Sequence, residues 1–329
     1  MPRTLRARHD RFALSRPFRI ARGVKSFADV ITVTVAEDGV AGRGEGVPYP
    51  RYGESVESAL AAVESVRAPL ESGAGREALR SLLPAGAARN AVDCALWDLE
   101  ARLSGDDVAL QLGAMAGGSL VTALTIGIDS PEAMALEAAR LESAPLVKVK
   151  VDSERPADRI RAVRAAAPRA ILIVDPNESW DESLVRAMQP VLAEAAVALL
   201  EQPVPAASDS WLEDFEPEVP ICADESVHVA ADLDVVARRY QAVNVKLDKS
   251  GGLTAALDLA GAARERGLGL MTGCMISSSL SIAPALHVAR LSDFADLDGP
   301  LWLREDRPGG VRAEAGLLSP PDPGFWGSR

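Results

Sequence analysis

Leu146-Val147-Lys148-Val149-Lys150-Val151 decides how the chain is read. The apolar, β-branched run is that of a strand buried on both faces, yet two lysines are set into it. Residues two apart on a strand share a face, so Lys148 and Lys150 project together. An ammonium is costly to desolvate without a partner, and an exposed edge strand would ordinarily explain a single K-x-K. Here the rest of the chain supplies what two inward lysines need.

From Ser119 onward, short β-rich runs alternate with amphipathic helical ones. The expected strands are 120–128, 146–151, 171–175, 197–201, 221–224, 242–247, 268–272 and 294–298. Between them, segments such as Leu253, Ala256, Leu257 and Ala260 keep one helical face apolar. Eight such units in about 180 residues predict an α/β chain with a TIM-like (β/α) barrel rather than an open doubly wound sheet. No G-x-G-x-x-G follows a strand, which argues against a dinucleotide fold. Upstream, residues 12–47 read as strands and turns, and 55–103 as helices, with 88–99 the clearest. Gly42-Arg43-Gly44-Glu45-Gly46 lacks the ending of a phosphate loop and reads as structural. Gly117-Gly118-Ser119 marks the boundary between the two parts.

A chain of 329 residues exceeds what one small core serves. Its 48% hydrophobic and 25% charged residues are those of a globular protein. A net charge of −12 disfavours nucleic acid and anionic membrane as partners. No apolar run approaches the roughly 18 residues of a membrane span. Cys94, Cys222 and Cys274 are widely separated, as expected of reduced thiols in a cytoplasmic protein. His9, His228 and His287 fall in no zinc spacing. Homo-oligomerisation is left open.

In such barrels, chemistry gathers at the C-terminal ends of the strands. The third, fourth and fifth strands end in Asp175, Glu201 and Asp224, spaced about one barrel unit apart. Three neighbouring carboxylates repel unless a cation joins them, and all-oxygen ligands indicate Mg²⁺. The sixth strand, Val243-Asn244-Val245-Lys246, sets another lysine inward. Strands two and six lie opposite in a ring of eight, so Lys150 and Lys246 flank a substrate from two sides. Asp296 and Asp298, on the eighth strand, form a second anionic site, expected to lie too far from the three acids to share their metal. A substrate carboxylate on Mg²⁺, an α-carbon between two lysines and a cationic group on Asp296 and Asp298 would satisfy every charge. Removing that α-proton builds a dianionic enediolate, which the metal and Lys148 would stabilise. The metal and the crowding of Lys148 against Lys150 are expected to lower the pKa of the lysine base. A proton taken on one face and returned on the other is epimerisation.

The motifs K-x-K, D-x-N, Glu, D-E-S and Lys on strands two to six resemble those of the muconate-lactonising subgroup of the enolase superfamily. The Asp296-Leu297-Asp298 ending is similar to that of its dipeptide epimerases, specifically the L-Ala-D/L-Glu kind. The likeness covers nearly the whole chain, including 48–55 and 246–252. It implies a (β/α)₇β barrel over 119–299, a capping domain over 1–118 and a tail, 300–329, returning to that cap. It also implies Asp175, Glu201 and Asp224 as Mg²⁺ ligands, Lys150 and Lys246 as the acid/base pair and Lys148 as electrostatic helper. Asp296 and Asp298 would hold the dipeptide's α-ammonium, and the pathway implied is murein-peptide recycling. Pro176 departs from the usual small residue of D-x-N and is expected to have little effect. For the glutamyl side chain, Ile20-Ala21-Arg22-Gly23-Val24-Lys25 offers two cations, of which Arg22 matches the family position better. Ser277, Ser278 and Ser279 read either as substrate contacts or as helix caps.

Rival readings on the same scaffold are an N-acylamino-acid racemase, an o-succinylbenzoate synthase and a cycloisomerase. The last two act on substrates without an ammonium, which facing aspartates would repel. A metal-free Schiff-base aldolase also uses a barrel lysine, and a barrel that only binds peptides is a further possibility.

Overall fold

The computed structural model describes residues 2–113 and 117–328. Three antiparallel strands open the chain: β1 (Thr4–Ile20), β2 (Gly23–Glu37) and β3 (Val40–Gly46), in that spatial order. Period-two alternation puts Ile31, Val33 and Val35 on one face of β2. They pack, with Leu5, against apolar residues of α1 (Val56–Ser65), α2 (Arg67–Glu71), α3 (Arg76–Leu82) and α4 (Ala87–Ser104). The glycines of β3 explain how α4 comes so close. A Cβ on Gly42, Gly44 or Gly46 would lie 2.2, 2.1 or 2.2 Å from the carbonyl oxygens of Ala95, Ala91 and Ala87. The G-R-G-E-G run is therefore a bed for a helix backbone, as the sequence reading expects.

After α5 (Val108–Gln111) comes β4 (Leu120–Val121), then eight parallel strands in one sheet, each beside its sequence neighbour. They are β5 (Leu124–Ile126), β6 (Leu146–Lys150), β7 (Ile171–Asp175), β8 (Val197–Glu201), β9 (Ile221–Ala223), β10 (Ala242–Val245), β11 (Gly269–Gly273) and β12 (Phe294–Asp296). The Ala123 N–H donates to Ala295 O at 2.8 Å, joining the first edge to the last and closing the barrel. Helices α6 (Pro131–Arg140), α7 (Pro156–Ala166) and α8 (Glu182–Glu194) follow the first three barrel strands. The short α9 (Leu233–Val236) follows β9, α10 (Leu247–Ser250) and α11 (Leu253–Glu265) follow β10, and α12 (Ser279–Ala289) follows β11.

Two expectations need correction. The strand expected over 120–128 splits at Thr122, whose N–H bonds to Gly316 O. Leu120–Val121 pairs instead with the tail hairpin of β13 (Arg312–Glu314) and β14 (Leu317–Ser319). Nor is there an α-helix between β8 and β9, only two 3₁₀ turns, Ala206–Ser208 and Ser210–Asp214. Pro203, Pro205, Pro217 and Pro220 crowd that segment and remove backbone donors that an α-helix would need.

Inside the barrel, Ala123, Leu146, Ile173, Leu199, Cys222, Ala242, Met271 and Phe294 make one apolar layer, a residue from each strand or its approach. Alternation then fixes the layer above it: Thr125, Lys148, Asp175, Glu201, Asp224, Asn244, Gly273 and Asp296. Charge appears two residues after the hydrophobic floor on five of the eight strands. The mouth is thus polar because the floor is apolar and the side-chain period is two.

Helix α4 ties the N-terminal sheet to this barrel. Asp93 accepts from the Thr254 hydroxyl at 2.7 Å and its N–H at 3.0 Å. Asp248 accepts from the Val47 N–H and Asn90 Nδ2, both at 2.8 Å. The tail crosses back as well: Arg304 N–H bonds Ala13 O at 2.8 Å and Trp326 Nε1 bonds Arg43 O at 2.9 Å. No helix of the described residues is long and apolar enough to cross a membrane.

The glycine bed yields a paired prediction. Gly44→Ala forces strand and helix apart and should cost about 1–3 kcal/mol, lowering the urea midpoint. Gly261→Ala, at an exposed position of α11 with nothing near its Cβ, should be neutral or stabilise by about 0.5–1 kcal/mol.

Candidate active site

The strand ends bring the expected residues to one place. Asp175 and Glu201 close β7 and β8, Asp224 follows β9, and all three are buried. The Lys148 ammonium lies 3.1 Å from Asp175 Oδ2, 2.6 Å from Glu201 Oε2 and 2.7 Å from Asp296 Oδ2. Lys150 Nζ is 2.5 Å from Asp175 Oδ2, and Lys246 Nζ is 2.6 Å from Asp224 Oδ2. Lys148 thus bridges Asp296 to two of the three strand-end acids. The two anionic sites are joined through one long side chain that spans the narrow mouth. Lys150 and Lys246 stand on β6 and just past β10, four strands apart, and line one pocket with Asp296 and Asp298.

These charges set one another. Burial would raise the Asp175 pKa, but Lys150 and Lys148 pull it down to about 2. Asp224 is likewise held well below the carboxylate range by Lys246, Lys249 and Lys148 against burial. Glu201 goes the other way, raised by burial and by Asp175. For Lys148, burial favours the neutral amine, but Asp296, Glu201 and Asp175 outweigh it and hold the ammonium form. Lys246 is held charged in the same way, chiefly by Asp224 and then Glu201. The acids face the ammoniums directly, and Lys148 and Lys150 meet on the same Asp175 Oδ2.

The donor set suits a hard cation. Among the described residues, no three metal-ligating side chains already form a cation cage. The charges on which the acids converge are ammoniums. Glu201 Oε2 is buried and 2.6 Å from Lys148 Nζ, yet it receives no hydrogen bond, while Oε1 accepts from Asn244 Nδ2 at 2.8 Å. An oxygen braced on one side and facing only charge on the other is fit for a metal. Asp175 is braced similarly, accepting from the Asn177 N–H at 2.8 Å and Nδ2 at 3.2 Å. Pro176, between them, leaves that brace intact.

Several supporting residues escaped the sequence reading. Gln202 Oε1 accepts from the Asp224 N–H at 2.8 Å and the Ser226 N–H at 3.1 Å, fixing the loop that carries Asp224. Lys249 Nζ lies 2.6 Å from Asp224 Oδ1. A Cβ on Gly273 would stand 2.9 Å from Lys246 Cε and 2.7 Å from Asn244 Oδ1, so glycine there makes room for the lysine. Asn244 was legible by the same alternation that exposes Lys246. Gln202 and Gly273 carry no such signal.

At the other end of the pocket, Asp298 accepts from the Thr125 N–H at 2.8 Å and Trp302 Nε1 at 3.3 Å. Burial and the neighbouring Asp296 push its pKa up to about 6. Asp296 Oδ1 is buried without a partner. Arg22 reaches the pocket from the β1–β2 turn but is engaged by Glu225 Oε1 at 2.7 Å. The serines after β11 act as links to the cap: Ser278 caps α12 and its N–H bonds Glu45, while Ser279 bonds Asp306.

Residues 3–113 match the family model for the mandelate racemase / muconate lactonizing enzyme N-terminal domain, and 132–325 the enolase C-terminal domain-like model. The chain is 48% identical over 306 residues to L-Ala-D/L-Glu epimerase of Escherichia coli, covering 92% of this chain and 95% of that one. A solved enolase-family member from Agrobacterium tumefaciens, with homology to dipeptide epimerases and bound to sodium and L-Ala-L-Glu, superposes with a TM-score of 0.97. It is 46% identical, with 99% of this chain and 100% of that one covered. The dipeptide epimerase of Methylococcus capsulatus, complexed with Mg and L-Arg-D-Lys, gives 0.89 at 34% identity, with 98% of each chain covered.

If the strand-end acids hold Mg²⁺, the ion should raise the melting temperature of the wild type, since it binds only the folded site. Glu201→Gln removes one ligand charge and should abolish most of that Mg²⁺-dependent shift. An equal shift in both proteins, followed by thermal melts with and without Mg²⁺, would remove Glu201 from the metal site.

Proposed function

The chain belongs to the enolase superfamily, in its mandelate racemase / muconate lactonizing enzyme branch, and on that premise we propose that it epimerises a dipeptide. The substrate pair is L-Ala-D/L-Glu, inverted at the glutamyl α-carbon by 1,1-proton transfer. The observation that carries this reading is the placement of Lys150 and Lys246 four strands apart around one pocket, with acids between them and an acidic end beyond.

Asp175, Glu201 and Asp224 would hold Mg²⁺, which polarises and neutralises a substrate carboxylate and so acidifies the adjacent C–H. Asp296 and Asp298 take the peptide's α-ammonium. The substrate's ammonium then replaces the Lys148 charge at Asp296, freeing Lys148 to stabilise negative charge growing on the carboxylate oxygens. One of Lys150 and Lys246, as the free amine, takes the α-proton from one face. The other, as ammonium, returns a proton to the opposite face, so the pair exchanges protonation states in each turnover. Which lysine starts as amine depends on the epimer bound. Arg22 closes the side-chain end of the pocket. We divide the chain into a cap over 1–118, a barrel over 119–299 and a tail over 300–329 that returns to the cap. We place the protein in the cytoplasm, where the three free thiols would stay reduced.

Incubation of L-Ala-L-Glu and L-Ala-D-Glu with enzyme and Mg²⁺ in D₂O, followed by proton NMR, should show loss of the glutamyl α-proton signal and appearance of the other epimer. EDTA should stop both. Lys246→Ala should lower epimerisation by about 10²-fold or more. Gly273→Ala, which pushes against Lys246, should lower kcat in the same direction by a smaller factor. Activity that survives EDTA, together with borohydride trapping of a lysine adduct, would instead establish Schiff-base chemistry.

A further inference from the structure

In a dipeptide held by its carboxylate and its ammonium, the side chain of the inverted residue is left to be read by the cap. The β1–β2 turn supplies two cations to that end of the pocket, Arg22 and Lys25. Their surroundings differ. Arg22 Nη1 is 2.7 Å from Glu225 Oε1 and 3.3 Å from Glu178 Oε2, and donates to Asn177 O at 3.1 Å. Its Nη2 donates to the Tyr49 hydroxyl at 3.4 Å. Two carboxylates already pair with the guanidinium, and its Nη1 is spent on holding Glu225 and the loop after β7, with only the long Tyr49 contact on Nη2.

Lys25 pairs with Phe18 across the hairpin, and its Nζ lies 4.5 Å from the centre of the Tyr49 ring. Among the described residues it makes no ion pair and no hydrogen bond. The charges that act on it from neighbouring positions are Arg22 and Lys246, which repel it, and Asp29, which attracts it. Burial and these like charges outweigh Tyr49 and Asp29 and leave its ammonium less favourable than usual, the state of a cation short of a counter-ion. It is nonetheless a wall of the same pocket as Lys150, Lys246 and Asp298.

We propose that Lys25, not Arg22, reads the side-chain carboxylate of the residue being inverted, and that Arg22 is a positioning residue for Glu225 and the pocket wall. The assignment rests on the dipeptide-epimerase reading. An anionic side chain entering here meets one unpaired positive charge, with the Tyr49 face behind it, whereas at Arg22 it would have to share the guanidinium with the carboxylates of Glu225 and Glu178. A neutral side chain of equal shape leaves that ammonium unpaired, so discrimination between Glu and Gln should be large. A charge-assisted hydrogen bond is worth roughly a 10- to 100-fold preference.

The test is steady-state kinetics on L-Ala-L-Glu and L-Ala-L-Gln with the full-length, Mg²⁺-loaded enzyme. The wild type should prefer Glu. Lys25→Met should raise KM for L-Ala-L-Glu by roughly 10- to 100-fold with a much smaller change in kcat, and should erase the Glu-over-Gln ratio. Lys25→Arg should keep most of that ratio. Arg22→Met should lower kcat/KM for both substrates in parallel and leave the ratio near its wild-type value. Thermal melts confirm that each variant is folded, and Lys25→Gln serves as a second neutral variant if Lys25→Met is not. A Glu-over-Gln ratio that survives loss of Lys25, or that collapses in Arg22→Met instead, overturns the assignment. A wild type that turns over no dipeptide fails earlier: it sinks the epimerase reading, and the Lys25 assignment with it.

Discussion

An ammonium surrounded by carboxylates is the contact on which the barrel mouth depends. Lys148 is 1% exposed and meets Asp175, Glu201 and Asp296 within about hydrogen-bond distance, while Asp175 and Glu201 are themselves fully buried. Desolvating so many charges costs more than their mutual attraction ordinarily returns, so the cluster is poor stabilising material. Hydrophobic residues of similar volume would pack the same space at lower cost. The cluster makes sense as a site in which charges are poised to be exchanged for those of a ligand. Each acid also has a neutral brace, Asn177 on Asp175, Asn244 on Glu201 and the Gln202-held loop under Asp224. These braces hold the oxygens in place while their cationic partners change.

Rigidity below and closure above make such an exchange workable. The floor of the barrel is an apolar layer fixed strand by strand, so the charged layer sits on packed side chains rather than on water. Above it, the cap is joined to the rim by buried polar contacts as well as by apolar clusters such as Val30, Val47 and Tyr49 against Met275. Asp248 is the clearest case: it lies two residues after Lys246, and accepts from Val47 of the cap and Asn90 of α4. Burial drives its pKa up to about 7. The same short helix therefore carries Lys246 at its start and the anchor of the cap one step on. Movement of the cap and placement of that lysine are mechanically linked.

The fold was legible because its rule is local. A period of two, an apolar floor and polar strand ends sufficed to pick out Lys148, Lys150, Asp175, Glu201, Asp224, Lys246 and Asp296 from sequence order alone. What stayed out of reach depended on distances across the ring or on chain direction. Strand spacing says that strands four and eight are opposite; it does not say that one lysine can touch both, as Lys148 does. The break at Thr122 follows from the tail hairpin that captures Leu120 and Val121, nearly two hundred residues away in sequence. The loss of a helix after β8, by contrast, was written in four prolines and could have been read. Gln202 and Gly273 left no mark because one acts through its side-chain amide on the backbone of the loop after the next strand and the other through a missing atom.

Charge placement also explains why two adjacent cations of one turn need not do the same work. Arg22 has a planar fork that can satisfy several acceptors at once, and here its Nη1 faces Glu225, Glu178 and the Asn177 carbonyl together. Burial and Asp224 push Glu225 up to about 7, and Arg22 is the main influence opposing them. Withdrawing Arg22 to bind a substrate would strand a buried carboxylate beside an anionic ligand, so its apparent suitability by residue type is cancelled by its neighbours. Lys25 bears a single compact charge on a flexible stem with nothing to release. In a pocket where nearly every other charge is matched, specificity falls to the residue left without a partner.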